Sequence, residues 1–99
     1  PLSNDNPKNI ISNFFSLESP FPNPFNSNIS IHYKLEKDQT VLLQIFNING
    51  KPIHTLIHER LSAGSHHSHW NALNESTGVY IVKLTSSNQV ETQKILYLK

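Results

Sequence analysis

Three features of this sequence predict an all-β fold. Apolar residues come in short bursts separated by turn residues. From Ile10 onward a two-residue alternation fits nearly everywhere. No helical period is sustained over three turns. We read seven strands, near 13–18, 28–35, 40–48, 52–60, 65–73, 78–86 and 89–98. Short strands at regular spacing, with turn signals between them, imply two packed antiparallel sheets. The simplest architecture is a seven-stranded antiparallel immunoglobulin-like β-sandwich, and a small barrel is the alternative.

The elements can be justified in order. Residues Pro1 to Asn9 hold Ser, Asn, Asp, Pro and Lys with one apolar residue, Leu2. That composition is a linker, and residues 1–12 are assigned to it, with 13–99 forming the sandwich. In the second strand Ile29, Ile31, Tyr33 and Leu35 alternate with Ser30, His32 and Lys34, which gives one buried and one wet face. In the third, Val41, Leu43 and Ile45 alternate with Leu42, Gln44 and Phe46, apolar on both sides and suited to a central strand. Asn49-Gly50 then predicts a hairpin with a type I′ turn, which needs positive φ at both central residues. Pro52 cannot donate a ladder hydrogen bond and belongs at a strand start or on an edge.

In the fifth strand His66, Ser68 and Trp70 share the inward face, with His67 and His69 outside. Trp70 is the only tryptophan and is expected to anchor the core beside Tyr33 or Tyr80. Tyr80, Val82 and Leu84 form the inward row of the sixth strand. In the seventh, Leu96 and Leu98 face one way, Ile95 and Tyr97 the other. Gly64 and Gly78 fall where strands begin.

Length and composition exclude several classes. Ninety-nine residues make one domain, and a chain this size buries about 60–65% of its unfolded surface. There is no cysteine, hence no disulfide framework and no thiolate zinc site. A net charge of +1 supplies no basic field for nucleic acid or a membrane surface. No apolar run approaches the roughly 20 residues of a membrane helix, so membrane insertion is not expected. A secretory signal peptide is absent from the start. Lacking methionine and starting at Pro1, the chain reads as a domain excised from a larger protein. A surface rich in Asn and Ser and poor in charge hints at an extracytoplasmic setting.

Little in the sequence carries chemistry. His66, His67 and His69 lie close together, with His54 or His58 available from another strand. No carboxylate falls at a helpful spacing and no HExxH pattern exists, so these histidines are read as a polar strand face and no metal is assigned. The acids Asp5, Asp38, Glu18, Glu36, Glu59, Glu75 and Glu91 form no pair suited to catalysis. No Gly-x-Ser-x-Gly elbow is present. The three glycines are too scattered to cradle phosphate. No catalytic residue and no cofactor is assigned, and the chain is not read as an enzyme.

Two segments stand apart. Pro20-Phe21-Pro22-Asn23-Pro24-Phe25-Asn26 has three alternate prolines that stiffen the backbone. Its asparagines can bond nearby backbone, and Phe21 and Phe25 can fold onto the sandwich. It is a rigid corner between the first two strands or a rigid loop read by a partner. The other is the strand pair Gly78-Val79-Tyr80 and Lys94 through Lys99, apolar with a lysine at each end of the last stretch. Apolar residues on both faces of that stretch also suit a central, doubly covered strand.

Taken in order, these pieces resemble a known family. They are Phe15-Ser16-Leu17, Pro22-Asn23-Pro24-Phe25-Asn26, Ile29 through Leu35, Val41 through Gly50, Leu61-Ser62-Ala63-Gly64-Ser65-His66, Trp70, Thr77-Gly78-Val79-Tyr80 and Lys94 through Lys99. Their order and spacing are similar to the C-terminal sorting domain of the type IX secretion system of Gram-negative bacteria, type A-like. That domain is related in fold to the immunoglobulin-like domain of flagellar hook-capping proteins. Thr77 stands where the family usually has Ser, and the density of histidine at 66, 67 and 69 is unusual for it.

The resemblance implies a sandwich covalently attached to an N-terminal cargo that crosses the inner membrane by its own signal. It implies a secretion signal, with the outer-membrane translocon and a sortase as partners, periplasmic transit, and then cell-surface or extracellular residence. Recognition would fall on Gly78, Val79, Tyr80, Lys94, Leu96, Leu98 and Lys99, with Pro22, Asn23, Pro24, Phe25 and Asn26 as the rigid loop. The competing reading is a non-catalytic carbohydrate-binding or spacer sandwich of an extracellular enzyme. A sugar site would need Trp70 and Tyr80 exposed on a flat sheet face.

Overall fold

The computed structural model describes residues 14–99. The linker assigned to residues 1–12 and the expected start of the first strand at 13 lie outside the described residues. Among the described residues seven strands form: β1 (Phe15–Leu17), β2 (Asn28–Leu35), β3 (Gln39–Asn47), β4 (Pro52–Leu61), β5 (Gly64–Asn71), β6 (Gly78–Thr85) and β7 (Val90–Tyr97). They build a three-stranded sheet in the order β1-β2-β5 and a four-stranded sheet in the order β4-β3-β6-β7. All strand pairs are antiparallel. The two sheets stay separate, so the architecture is a sandwich and not a barrel.

Alternation decides what is buried. Ile29, Ile31, Tyr33 and Leu35 face inward from β2, Val41, Leu43 and Ile45 from β3, and Tyr80, Val82 and Leu84 from β6. Ile95 and Tyr97 complete the inner face from β7. Trp70, only 3% exposed, meets Tyr80 across the core with ring centroids 5.2 Å apart in an edge-to-face arrangement. This geometry suits the ring quadrupoles. β3 lies between β4 and β6, and its outward residues Leu42 and Phe46 are half-buried while Val41, Leu43 and Ile45 are buried.

The edges of the sheets are each handled differently. Pro52 opens β4, an edge strand, where its missing N–H costs nothing. The β3–β4 ladder is broken by two register shifts, which twist that edge away from foreign strands. On the opposite side, β1 and β7 belong to different sheets but are joined by side chains. Gln89 Oε1 accepts from Phe14 N–H at 2.6 Å, and Gln89 Nε2 donates to Phe15 carbonyl at 2.9 Å. Glu91 Oε1 accepts from Leu17 N–H at 3.0 Å.

Two local expectations are corrected. The β3–β4 hairpin forms, but its loop holds three residues, 48–50, and is not a two-residue type I′ turn. Gly50 N–H bonds Asn47 carbonyl and Asn47 N–H bonds Lys51 carbonyl, both at 2.9 Å. Gly50 takes the positive φ, 82°, as a turn followed by a one-residue bulge requires. Asn47 Oδ1 then accepts from the N–H groups of Asn49 and Lys51, supplying the acceptor that favours the longer loop. The second correction concerns β7. It is not a central strand but the lateral edge of the four-stranded sheet. A loop, not another strand, lies against that edge, where Asn23 Oδ1 accepts from Leu96 N–H.

Candidate recognition surface

The proline-rich segment crosses from one sheet to the other. At its start Phe21 pairs with Ser30 of β2, exchanging backbone hydrogen bonds of 3.1 and 2.8 Å. At its end Phe25 pairs with Tyr97 of β7, with Phe25 N–H on Leu96 carbonyl at 3.0 Å and Leu98 N–H on Phe25 carbonyl at 2.9 Å. The corner therefore joins the two sheets, a larger role than linking the first two strands. Both X-Pro bonds, Phe21–Pro22 and Asn23–Pro24, are cis.

Asn23 completes the attachment. Its Oδ1 accepts from Leu96 N–H at 2.9 Å and its Nδ2 donates to Lys94 carbonyl at 3.3 Å. A primary amide carries the same donor and acceptor as a peptide unit. Asn23 thus satisfies the β7 edge as a neighbouring strand would. Phe25 is 2% exposed and stacks on Tyr97 with centroids 5.1 Å apart, with Trp70 at 5.9 Å. Phe25 folds onto the core as expected. Phe21 does not: it is 53% exposed and stacks on His32 on the outer face of the three-stranded sheet.

The structure brings the two candidate segments together. Lys94, Leu98 and Lys99 are exposed, and Leu96 is half-buried. Val79 lies directly opposite Leu96, and Gly78 opposite Tyr97. Tyr80 is buried and points inward, so it supports this surface without belonging to it. Its hydroxyl donates to Ser76 carbonyl. Burial, reinforced by the Glu75 carboxylate and by Tyr97, raises the Tyr80 hydroxyl above its ordinary range, against the lowering effect of the Ser76 bond. Pro22, Pro24, Phe25, Asn26 and Leu98 line a shallow depression of about 320 Å³. A broader groove of about 520 Å³ lies at the other end of the four-stranded sheet, among Phe14, Lys37, Arg60, Thr85 and Asn88.

His67 and His69 are exposed on the outer face of β5, the side the alternation gives them. His67 has His32 directly opposite on β2, with rings 5.6 Å apart, and His69 lies edge-on to His67. His54 and His58 sit on β4 in the other sheet and do not join them. Among the described residues no group of three His, Cys, Asp or Glu side chains could hold a metal ion. His66 is half-buried and stacks on Tyr33 at 5.8 Å. Trp70 and Tyr80, which a sugar platform would need exposed, are in the core.

Sequence reasoning missed His32 and Phe21 as outer-face neighbours, and Gln89 and Glu91 as edge ties. The inward row of β7 carried the latter signal: Gln89, Glu91 and Gln93 continue the spacing of Ile95 and Tyr97, so polar groups were due at a sheet seam.

No curated protein matches the chain. The family model described as the secretion system C-terminal sorting domain matches residues 19–98, from the proline-rich corner through the whole of β7. With that match spanning most of its length, the chain belongs to the type IX secretion C-terminal sorting domain family.

Proposed function

We propose that this domain carries a covalently linked N-terminal cargo to the type IX translocon of the outer membrane, and that a sortase then removes it. The family is not a catalytic one, and its sorting domain marks a protein secreted through the outer membrane. On this reading the domain is an address label. It passes through the periplasm and leaves its cargo at the cell surface or outside the cell. Residues 1–12 are the linker where cargo and label separate. They carry Ser, Asn, Asp and Lys with Leu2, Ile10 and Ile11 as the apolar residues besides proline, and a protease entering there would leave the sandwich intact.

One observation carries the recognition reading: the two segments suspected separately form a single continuous surface, held by Asn23 and Phe25 against β7. Lys94 and Lys99 flank it with positive charge, and both are exposed. Exposed lysines contribute little to stability, so their charge can be reversed without unfolding the domain.

The test fuses the domain to a reporter bearing an inner-membrane export signal, in a host that has the secretion system. Lys94→Glu and Lys99→Glu, each with unchanged melting temperature, are expected to leave the reporter in the periplasm. Export of both variants at the unaltered rate would place recognition elsewhere. Mass spectrometry of the released cargo locates the cut, expected within or before residues 1–12; a cut inside the sandwich would contradict the linker assignment.

A further inference from the structure

We infer that the depression between the proline corner and Leu98 is a docking site for an apolar side chain of the export machinery, with a carboxylate beside it. We also infer that Asn23 is the positioning residue that holds its two walls in register. This rests on the sorting reading and names the chemistry of the partner. One wall is Pro22 and Pro24, the other Leu98, and the buried Phe25 forms part of the lining. Leu98 is 44% exposed. Prolines present apolar surface with little entropy left to lose, so a pocket they line is preorganised.

The walls come from segments some 70 residues apart, and what joins them is known in detail. Asn23 bonds Leu96 N–H and Lys94 carbonyl, and Phe25 bonds Leu96 carbonyl and Leu98 N–H. These four bonds fill the β7 edge beside the pocket, so strand addition is blocked there. A partner must read side chains. Those on offer are the apolar pocket and the exposed cations of the same stretch, Lys99 next to Leu98 in the chain and Lys94, whose carbonyl is bonded to Asn23. Their complement is an apolar side chain next to an acidic one.

The experiment uses the same reporter fusion and measures exported fraction and melting temperature together. Leu98→Asp puts a carboxylate in the pocket wall and is expected to lower export about tenfold, the effect of 1.4 kcal/mol of docking energy, at an unchanged melting temperature. Leu98→Met keeps the apolar wall and is expected to export normally. Val90→Asp makes the same kind of change on another exposed apolar residue, at the far end of β7 roughly 26 Å away. It is expected to leave export unchanged.

Asn23→Ala is expected to lower export, and Asn23→Ala combined with Leu98→Asp to be no worse than Leu98→Asp alone, since both act on one site. Two independent defects that multiply would overturn the role of Asn23. Normal export of Leu98→Asp beside a working unaltered tail would overturn the docking site and leave the sorting reading standing. An unaltered tail that keeps the reporter in the periplasm would instead overturn the sorting reading, and this inference with it.

Discussion

Glu91 accepts a hydrogen bond from the backbone N–H of Leu17 at 3.0 Å, across the seam between the two sheets. Leu17 is buried and its strand, β1, is three residues long. So short a strand pairs with β2 on one side only, and its other edge would be left with unpaired N–H groups. Glu91 and Gln89 take those donors, and Gln89 Nε2 also bonds Glu91 Oε2 at 2.6 Å. The seam is thus closed by side chains where backbone pairing runs out.

Glu91→Ala is therefore expected to destabilise the domain by about 1.5–3 kcal/mol, the range for a hydrogen bond to a charged group. Glu91→Gln keeps an acceptor for Leu17 and is expected to fall between Ala and the unaltered chain. Denaturant unfolding checks both. An Ala variant with an unchanged midpoint would show the seam to be held by packing alone.

Trp70→Ala is expected to cost about 3–5 kcal/mol. The indole lies against Phe25 and Tyr80, so its loss opens a cavity where the corner, β5 and β6 meet. Chemical denaturation measures it, and an unchanged midpoint would refute the inward register of β5.

Tyr80 and Tyr97 are expected to respond in opposite directions to loss of the hydroxyl. The Tyr80 hydroxyl is bonded to Ser76, whereas the buried Tyr97 hydroxyl has no partner among the described residues. Tyr80→Phe is expected to lower stability by about 1 kcal/mol and Tyr97→Phe to raise it by a similar amount. In a domain of this size each is a shift of about 4–8 °C in melting temperature.

Tyr80 adds a pH signature. Its hydroxyl is raised in the folded state, chiefly by burial, so the unfolded chain loses that proton first, near pH 10. The contribution is complete below pH 10 and is lost as pH rises through the folded-state value. Melting temperature above pH 10 is expected to fall more steeply for the unaltered domain than for Tyr80→Phe.

Much of the fold was legible because period-2 alternation is a local signal. Ile29 through Leu35 and Val41 through Ile45 each declared their inward rows, and Trp70 followed from its place on one. The candidate site was legible only in halves. Nothing near Asn23 in sequence indicates that its amide bonds Leu96 and Lys94, since those partners lie more than 70 residues away. The edge position of β7 was hidden for the same reason: its edge is filled by Asn23 and Phe25, which lie far away in the sequence. The turn after β3 was misjudged because Asn49-Gly50 points to a short loop, while the side chain of Asn47 selects the longer one.

The closure of the seam also bears on when this surface is complete. A chain emerging N-terminus first presents β1 and the proline corner early, and β2 follows soon to pair with β1 and Phe21, yet the other edge of β1 and the Asn23–Phe25 end of the corner are bonded to residues 89–98. Until those residues arrive, β1 lacks its side-chain acceptors and Asn23 has no edge to cap. Contacts of such long sequence separation form late and slowly. The finished surface therefore reports that synthesis has proceeded through Leu98. A chain cut short of these residues lacks that surface, however well folded upstream.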